Sequence, residues 1–260
     1  MNRTIGRLSL AAALAVSAGP AAGQAFTQPQ GEGRVITSVL YSHSDRAFDD
    51  RSQSSTIPDY DQLNVYFLGE YGLTDDLTIL ATPSIRLVDV RGAPDSHGLG
   101  YTDVGARYRV AHDGNALFSV QGLVRIPGQT RQDRLAQVGQ TGFEYDLRGQ
   151  GAVTFGAGSF AIVEGGYRWR AGDPPNEAHV DATIGLRASP RLWFIANSYN
   201  TISDGSGQGV FRRFRYHNLY VSTAYDVSRH VTLQFGALGT VAGRNALRER
   251  GLFGGLWYRF

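Results

Sequence analysis

The segment 102–110 has the sequence TDVGARYRV, in which two kinds of side chain alternate. Its even-numbered residues are uncharged, whereas its odd-numbered residues are Asp103, Gly105, Arg107 and Arg109. Because successive side chains of a strand point to opposite faces, the pattern predicts a β-strand with one apolar and one charged face.

The same alternation recurs along the chain and predicts an all-β fold. It defines about twelve segments, at 33–45, 60–71, 77–89, 99–111, 115–127, 142–155, 159–170, 177–188, 191–203, 210–225, 230–243 and 247–260. The first, ninth and tenth segments are ambiguous, because Ile36, Trp193 and Phe214 lie on the face expected to be polar.

The connections between these segments are alternately short and long. Short turns rich in Asp, Gly, Asn and Pro follow every second segment, at 72–76, 112–115, 156–158, 189–191 and 226–229. The longest other connections are Ser44–Asp59 and Pro127–Thr141. This asymmetry predicts a closed antiparallel transmembrane β-barrel with short periplasmic turns and longer extracellular loops.

The last segment is a second indication of a barrel. Leu256, Tyr258 and Phe260 alternate up to an aromatic C-terminus. We expect this strand to close the barrel against the first strand, with Tyr258 and Phe260 facing lipid, and to be recognised by the barrel-assembly machinery. A soluble β-sandwich shares the alternation but has no need of aromatic residues banded at the strand ends.

The N-terminal residues predict export. Two arginines precede an apolar run at Leu8–Ala18, and small residues follow, as in a secretory signal peptide over 1–25 that is cleaved after Gly23 or Ala25. The whole chain carries 25 Lys+Arg against 23 Asp+Glu, a formal charge of +2, so loss of the two arginines leaves 2 − 2 = 0. An uncharged mature chain is a poor ligand for nucleic acid. We expect residues 26–260 to form the barrel alone, in the bacterial outer membrane, without a plug.

Five segments resemble known families. The runs 70–78 (EYGLTDDLT) and 98–109 (GLGYTDVGARYR) resemble outer-membrane barrels assigned to transport in the meta-pathway of phenol degradation. The runs 171–177 (AGDPPNE), 200–205 (NTISDG) and 243–251 (GRNALRERG) resemble XagA-type outer-membrane proteins, which are named after an adhesion-exopolysaccharide locus. The resemblance implies an outer-membrane location and a channel role, and it implies no catalytic residue.

The polar faces of the predicted strands carry the candidate functional residues. The pore-lining candidates are Arg86, Asp103, Arg107, Arg109, Arg125, Glu144, Asp146, Arg148, Glu164, Arg168, Asp181 and Arg187. Seven of them, on the fourth to sixth strands, are expected to form a transverse charged zone: Arg107, Arg109, Arg125, Arg148, Asp103, Glu144 and Asp146. Such a set is either a water-filled constriction or a core of paired charges.

The predicted size of the barrel favours a water-filled constriction over a core of paired charges. About twelve strands enclose more space than the eight whose side chains just fill a barrel. Gly105, Gly166 and Gly185, on the inward face, are expected to leave volume unfilled.

Catalysis and metal binding have little support in the sequence. His217 and Ser222 resemble part of a hydrolase arrangement, but five residues separate them and place them on opposite faces of one strand. No histidine or carboxylate cluster has the spacing of a metal site, and the absence of cysteine removes thiolate ligands. We therefore predict a protein that is not an enzyme and has no cofactor or metal.

The sequence leaves three functional hypotheses, and the prediction that the protein is not an enzyme disfavours the third. The first is a passive pore, which passes either a secreted exopolysaccharide linked to adhesion and biofilm or small aromatic compounds. The second is a sealed structural or adhesive barrel that acts through its outer loops, and the third is a lipid hydrolase. In each case the expected partners are outer-membrane lipid and lipopolysaccharide, with no nucleic acid.

Overall fold

The structure, a computed structural model, describes residues 25–128, 142–156 and 158–260. All of the predicted signal peptide except Ala25 lies outside the described residues, as does segment 129–141 of the predicted loop Pro127–Thr141. No helix among the described residues combines the length and the apolar character that a membrane crossing requires.

Twelve strands form one sheet, and three of them are interrupted. They are β1 Gly33–Phe48, β2 Ser54–Gly72, β3 Leu77–Thr82 with Ser84–Val90, β4 Ser96–Leu99 with Thr102–Asp113, β5 Ala116–Ile126, β6 Glu144–Phe155, β7 Ser159–Arg170, β8 Glu177–Arg187, β9 Leu192–Ser203, β10 Arg215–Asp226, β11 Val231–Arg244 and β12 Ala246–Leu247 with Arg250–Arg259. The interruption of β3 falls at Pro83, which has no N–H to donate to a neighbouring strand.

The sheet closes on itself. Consecutive strands pair antiparallel around the molecule, and β1 pairs with both β2 and β12. The closing register places Val35 opposite Tyr258 and His43 opposite Arg250. The predicted closed antiparallel barrel of twelve strands is therefore confirmed.

The two ends of the barrel differ in their connections. At one end the turns after β2, β4, β6, β8 and β10 contain 4, 2, 3, 4 and 4 residues. The two longest connections, 127–143 and 204–214, lie at the opposite end. We call these the short-turn end and the long-loop end.

The prediction of a long loop over Ser44–Asp59 is wrong. β1 continues to Phe48 and β2 begins at Ser54, so that only residues 49–53 form the turn. A bulge between Ser44 and Arg46 shifts the register and hides the alternation. The tenth strand likewise begins at Arg215, later than the predicted residue 210.

The outer surface is apolar over the strands, as a lipid-facing barrel requires. Val39, Leu147, Val163 and Phe235 are examples of its exposed side chains. The interior holds most of the strand charges but also apolar groups. The residues that made the sequence pattern ambiguous point inward: Ile36 and Phe214 are buried, and Trp193 packs against an interior cluster.

Candidate functional site in the barrel lumen

One wall of the lumen carries a continuous chain of ion pairs, which we call the charged belt. It consists of Asp103, Arg125, Glu144, Asp146, Arg148, Glu164, Arg168, Arg170, Glu177 and Asp181, which project inward from β4 to β8. The two-residue alternation, or parity, explains why these residues share one wall, because alternate residues of neighbouring strands face the same side of a sheet.

The belt is linked by guanidinium groups that each bridge two or more carboxylates. Arg125 Nε lies 2.8 Å from Asp103 Oδ1, and its Nη1 lies 3.2 Å from Glu144 Oε2. Arg170 Nε then lies 2.9 Å from the other oxygen of Glu144. This arrangement gives the N–H donors of each planar guanidinium group several carboxylate acceptors at once.

Arg148 lies near three carboxylates of the belt. Its Nε lies 2.5 Å from Asp146 Oδ1, Nη1 donates to Glu164, and Asp181 is 3.9 Å away. Arg168 Nε lies 2.7 Å from the second oxygen of Asp146. Two arginines therefore share one carboxylate.

Every belt residue is exposed by 9% or less. The belt therefore consists of paired, largely desolvated charges, for which the loss of one partner costs more than the pair contributes.

A second ion cluster lies nearer the short-turn end. Glu70 accepts from Arg34 Nη2 at 2.5 Å and from Arg107 Nη1 at 3.1 Å. Arg107 also donates to Gln121 Oε1 through Nε, at 3.0 Å, and through Nη2, at 2.8 Å.

Residues 25–30 occupy the short-turn mouth of the barrel. Ala25 is fully buried, and its carbonyl accepts a hydrogen bond of 2.8 Å from Ser119 Oγ. The Phe26 ring packs edge-on against Phe160 at a centroid distance of 6.0 Å, and the Phe26 carbonyl accepts from Arg107 Nη1 at 2.8 Å. The expectation of a barrel without a plug is therefore wrong, because this segment forms contacts inside the lumen.

The inward glycines do not leave open space. A Cβ at Gly185 would collide with the Phe160 ring, and one at Gly105 would collide with the carbonyl of Gly122. A Cβ at Gly166 would lie 2.7 Å from Arg148 Cγ. The prediction of unfilled volume at these glycines is wrong, since neighbouring groups already fill the space.

The opposite wall of the lumen is aromatic. Tyr199, Tyr220 and Phe253 are buried together with Leu40 and Leu238. The Tyr199 and Tyr220 rings meet edge-on at 5.1 Å, and Tyr220 lies 5.6 Å from Phe253. We did not predict this wall, although the tyrosines share the parity of inward polar residues on β9 and β10.

The predicted transverse zone is divided in the structure. Asp103, Arg125, Glu144, Asp146 and Arg148 belong to the charged belt, whereas Arg107 belongs to the cluster around Glu70.

Arg109 lies outside this zone, at the short-turn rim. It is partly exposed there, and its Nε donates to Asp76 at 2.8 Å. Including Arg109 in the zone is wrong, because at that height the neighbouring strands β2 and β3 have reached their turn 73–76, where Asp76 binds Arg109.

Two other pore-lining candidates also lie outside the belt. Arg187 is at the short-turn end, where its guanidinium stacks 4.7 Å above the Trp193 ring and lies 3.9 Å from Asp226. Arg86 lies on β3 and donates to Tyr60 Oη at 3.0 Å and to Gln62 Oε1 at 2.7 Å. Glu164, Arg168 and Asp181 all belong to the belt.

Four residues outside the predicted pore-lining set complete the ion clusters: Arg34, Glu70, Arg170 and Glu177. Arg34 binds Glu70, while Arg170 and Glu177 join the belt at the ends of their strands. Arg170 lies one two-residue step beyond Arg168, and Glu177 lies two such steps before Asp181, so extending the alternation along both strands would have found both.

His217 and Ser222 do not form a catalytic pair. His217 Nδ1 lies 2.8 Å from Asn200 Oδ1 on the outer face, whereas Ser222 Oγ accepts from Gln234 in the interior. Within the described ranges, no group of three histidine, cysteine or carboxylate side chains is placed to hold a metal ion.

Comparisons with known proteins identify the fold class. The chain is similar to the COG4313 outer membrane channel from Pseudomonas putida F1, with a TM-score of 0.78, 16% identity, and coverage of 92% of this chain and 98% of that one. It is also similar to the translocator domain of the autotransporter NalP from Neisseria meningitidis, with a TM-score of 0.53, 10% identity and 90% coverage of both chains. The KdgM porin in complex with oligogalacturonate gives a TM-score of 0.50 at 11% identity, covering 86% of this chain and 99% of that one.

These similarities show a fold, that of bacterial outer-membrane β-barrels. No family model matches the chain, and no curated protein matches it either. The comparisons therefore support an outer-membrane barrel but neither the XagA-type family nor the family assigned to phenol degradation.

Proposed function

We propose that this protein is an outer-membrane channel with a narrow lumen, closed at the short-turn end by residues 25–30. The observation that carries the proposal is the position of this segment. Ala25 and Phe26 lie inside the barrel, and the segment is held by side-chain contacts and by one isolated bridge between Gln30 and Gly72 at the rim. Its departure would open the short-turn mouth and break this bridge, but none of the pairs between the twelve strands.

The two walls of the lumen define the solutes that we propose. Guanidinium and carboxylate groups line β4 to β8, and the Tyr199–Tyr220–Phe253 cluster lies on the opposite side. Arginine planes bind anionic groups and stack on rings, and aromatic faces pack against apolar parts of a solute. Small solutes with a charged group and an apolar ring suit this lumen better than a polysaccharide chain does.

Planar-bilayer recordings test the channel. We expect brief, small openings from the full chain and larger, longer openings from a variant that lacks residues 26–30. A variant that lacks the exposed Arg51 in the turn 49–53 is the matched control and should conduct as the full chain does. If all three proteins fold and none conducts, the channel proposal is wrong.

A sealed barrel is the second candidate, and the burial of the charged belt favours it. Paired charges that are 9% exposed or less resemble a core more than a water-filled constriction. In that case the outer loops would be the functional part, as in an adhesive protein. Liposome swelling separates the candidates, because a sealed barrel admits no arabinose even when residues 26–30 are absent.

A further inference from the structure

Arginines collect on one part of the outer surface at the long-loop end. This rim patch consists of Arg46, Arg213, Arg215, Arg244, Arg248 and Arg250, on β1, β10, β11 and β12 and on the loop before β10. β10, β11, β12 and β1 are consecutive around the barrel, so the patch is continuous. Arg213 and Arg215 are exposed, and the buried Phe214 and Tyr216 between and beside them point inward.

Two strand pairings place arginines opposite each other. Arg215 pairs with Arg244 between β10 and β11. Between β1 and β12, the Arg248 N–H donates to the Arg46 carbonyl at 2.9 Å, next to the pair Ala47–Leu247. Like charges directly opposite each other destabilise a sheet. Asp50 already offsets Arg244, and the Arg46 guanidinium donates to Ser54. Arg215 and Arg248 are therefore the members of these pairs that favour a further anion.

The patch has more guanidinium groups than carboxylates. Arg244 pairs with Asp50 at 2.8 Å, and Arg250 lies 3.4 Å from Asp45. Hydrogen bonds from Arg244 and Asn245 hold the pKa of the Asp50 carboxyl below its usual value, so that group stays ionised. Among the described residues, no carboxylate lies within 4.0 Å of the Arg215 or Arg248 guanidinium.

The short-turn end is different. There Arg109 pairs with Asp76 at 2.7 Å, and Asp226 lies 3.9 Å from Arg187 and 3.7 Å from Arg259. Arg191 and Arg229, in the turns 188–191 and 227–230, are exceptions at this end, since no described carboxylate lies within 4.0 Å of either guanidinium.

The patch borders the apolar surface. On β12, exposed Leu252 follows Arg250 by two residues, and on β10 exposed Leu219 follows Arg215 by four. Charged side chains directly above a lipid-facing surface lie at the height of lipid headgroups.

We propose that the rim patch binds the phosphate groups of a phosphorylated glycolipid, the lipid A part of lipopolysaccharide. The proposal rests on the proposed location in the outer membrane. Guanidinium groups bind phosphate through paired N–H donors, and lipid A presents its two phosphates beside acyl chains that match the apolar surface below. The phosphates would lie beside Arg215 and Arg248 and supply the negative charge that these two guanidinium groups lack.

The test is a titration of the folded full chain in a mild detergent with lipid A, with dephosphorylated lipid A and with inorganic phosphate. We expect lipid A to raise the unfolding temperature, measured by heat-modifiable electrophoretic mobility, and the dephosphorylated form to have little effect. In the variant R215Q/R248Q the apparent affinity for lipid A should fall by about tenfold or more, because charge-assisted hydrogen bonds are lost. The variant R191Q/R229Q makes the same charge change at exposed sites on the short-turn end and should bind as the unaltered chain does.

Two results would overturn the proposal. One is equal affinity for lipid A in the unaltered chain and R215Q/R248Q. The other is equal stabilisation by inorganic phosphate, which would mean that the arginines hold the free ion. Binding in detergent needs no conduction, so a silent barrel that still binds lipid A through these arginines contradicts the channel proposal alone.

Discussion

Arg148 contacts Asp146 and Glu164 directly and lies 3.9 Å from Asp181, at 8% exposure, so its guanidinium balances the charge of several buried carboxylates. Replacing it by glutamine leaves these carboxylates buried with one fewer cation. We expect R148Q to lower the free energy of unfolding by about 3–5 kcal/mol. Urea unfolding of the folded barrel in lipid vesicles measures the change.

A matched pair at the surface provides the control. Arg109 also binds an aspartate, but the Arg109 side chain is 27% exposed and that of Asp76 is 51% exposed. R109Q should therefore cost about 1 kcal/mol or less. Adding Glu164→Gln to R148Q should recover part of the loss. Equal effects of R148Q and R109Q would show that water screens the belt.

The sequence predicts the parity of these residues but not their partners. Alternation alone places Arg125, Glu144 and Arg148 on charged faces. Which carboxylate each arginine contacts depends on the register between neighbouring strands. The alternation of residue types along the sequence does not specify that register. For this reason Arg107 and Arg148, which look equivalent in sequence, bind different clusters.

At the scale of secondary-structure elements, we predict that assembly of the barrel depends on the closing strand pair, β12 with β1. The Phe260 N–H donates to the Gly33 carbonyl at 3.0 Å, and the Gly33 N–H donates to the Phe260 carbonyl at 2.8 Å. Deleting Phe260 removes both bonds at the closing edge, and unpaired backbone groups in lipid cost several kcal/mol each. We expect markedly less folded barrel in membranes from the Phe260 deletion than from an Arg51 deletion.

The Arg51 deletion is the matched loss of one residue, because Arg51 lies in the exposed turn 49–53, between β1 and β2. Heat-modifiable mobility of membrane fractions separates folded from unfolded chain. Equal amounts of folded barrel from the two deletions would be evidence against a special role of the closing strand.

The strands were predictable because lipid on one side and polar groups on the other produce a two-residue period. The prediction fails where that contrast disappears. Ile36 and Trp193 are apolar on the inward face because they pack around Ala25 and Phe26 in the lumen. Sequence alternation contains no signal for a segment that enters the barrel from outside the sheet.

At the scale of the whole molecule, the barrel combines a closed wall, a charged belt and a segment across one mouth. The wall and its closure follow from the alternating pattern and the fold comparison. The belt is too well paired to indicate by itself whether solutes pass. The central claim is therefore that the segment 25–30 moves out of the mouth when the channel opens.

A reversible lock tests this claim most directly. The chain contains no cysteine, so Gln28→Cys with Thr78→Cys introduces one isolated pair, at a site where the Gln28 N–H donates to Thr78 Oγ1 at 2.8 Å. We predict that the oxidised double variant is silent in planar bilayers and that a reducing agent restores the openings of the unaltered chain, while each single variant is insensitive to the agent. Openings of the same size and frequency before and after reduction of a confirmed disulfide would contradict the account.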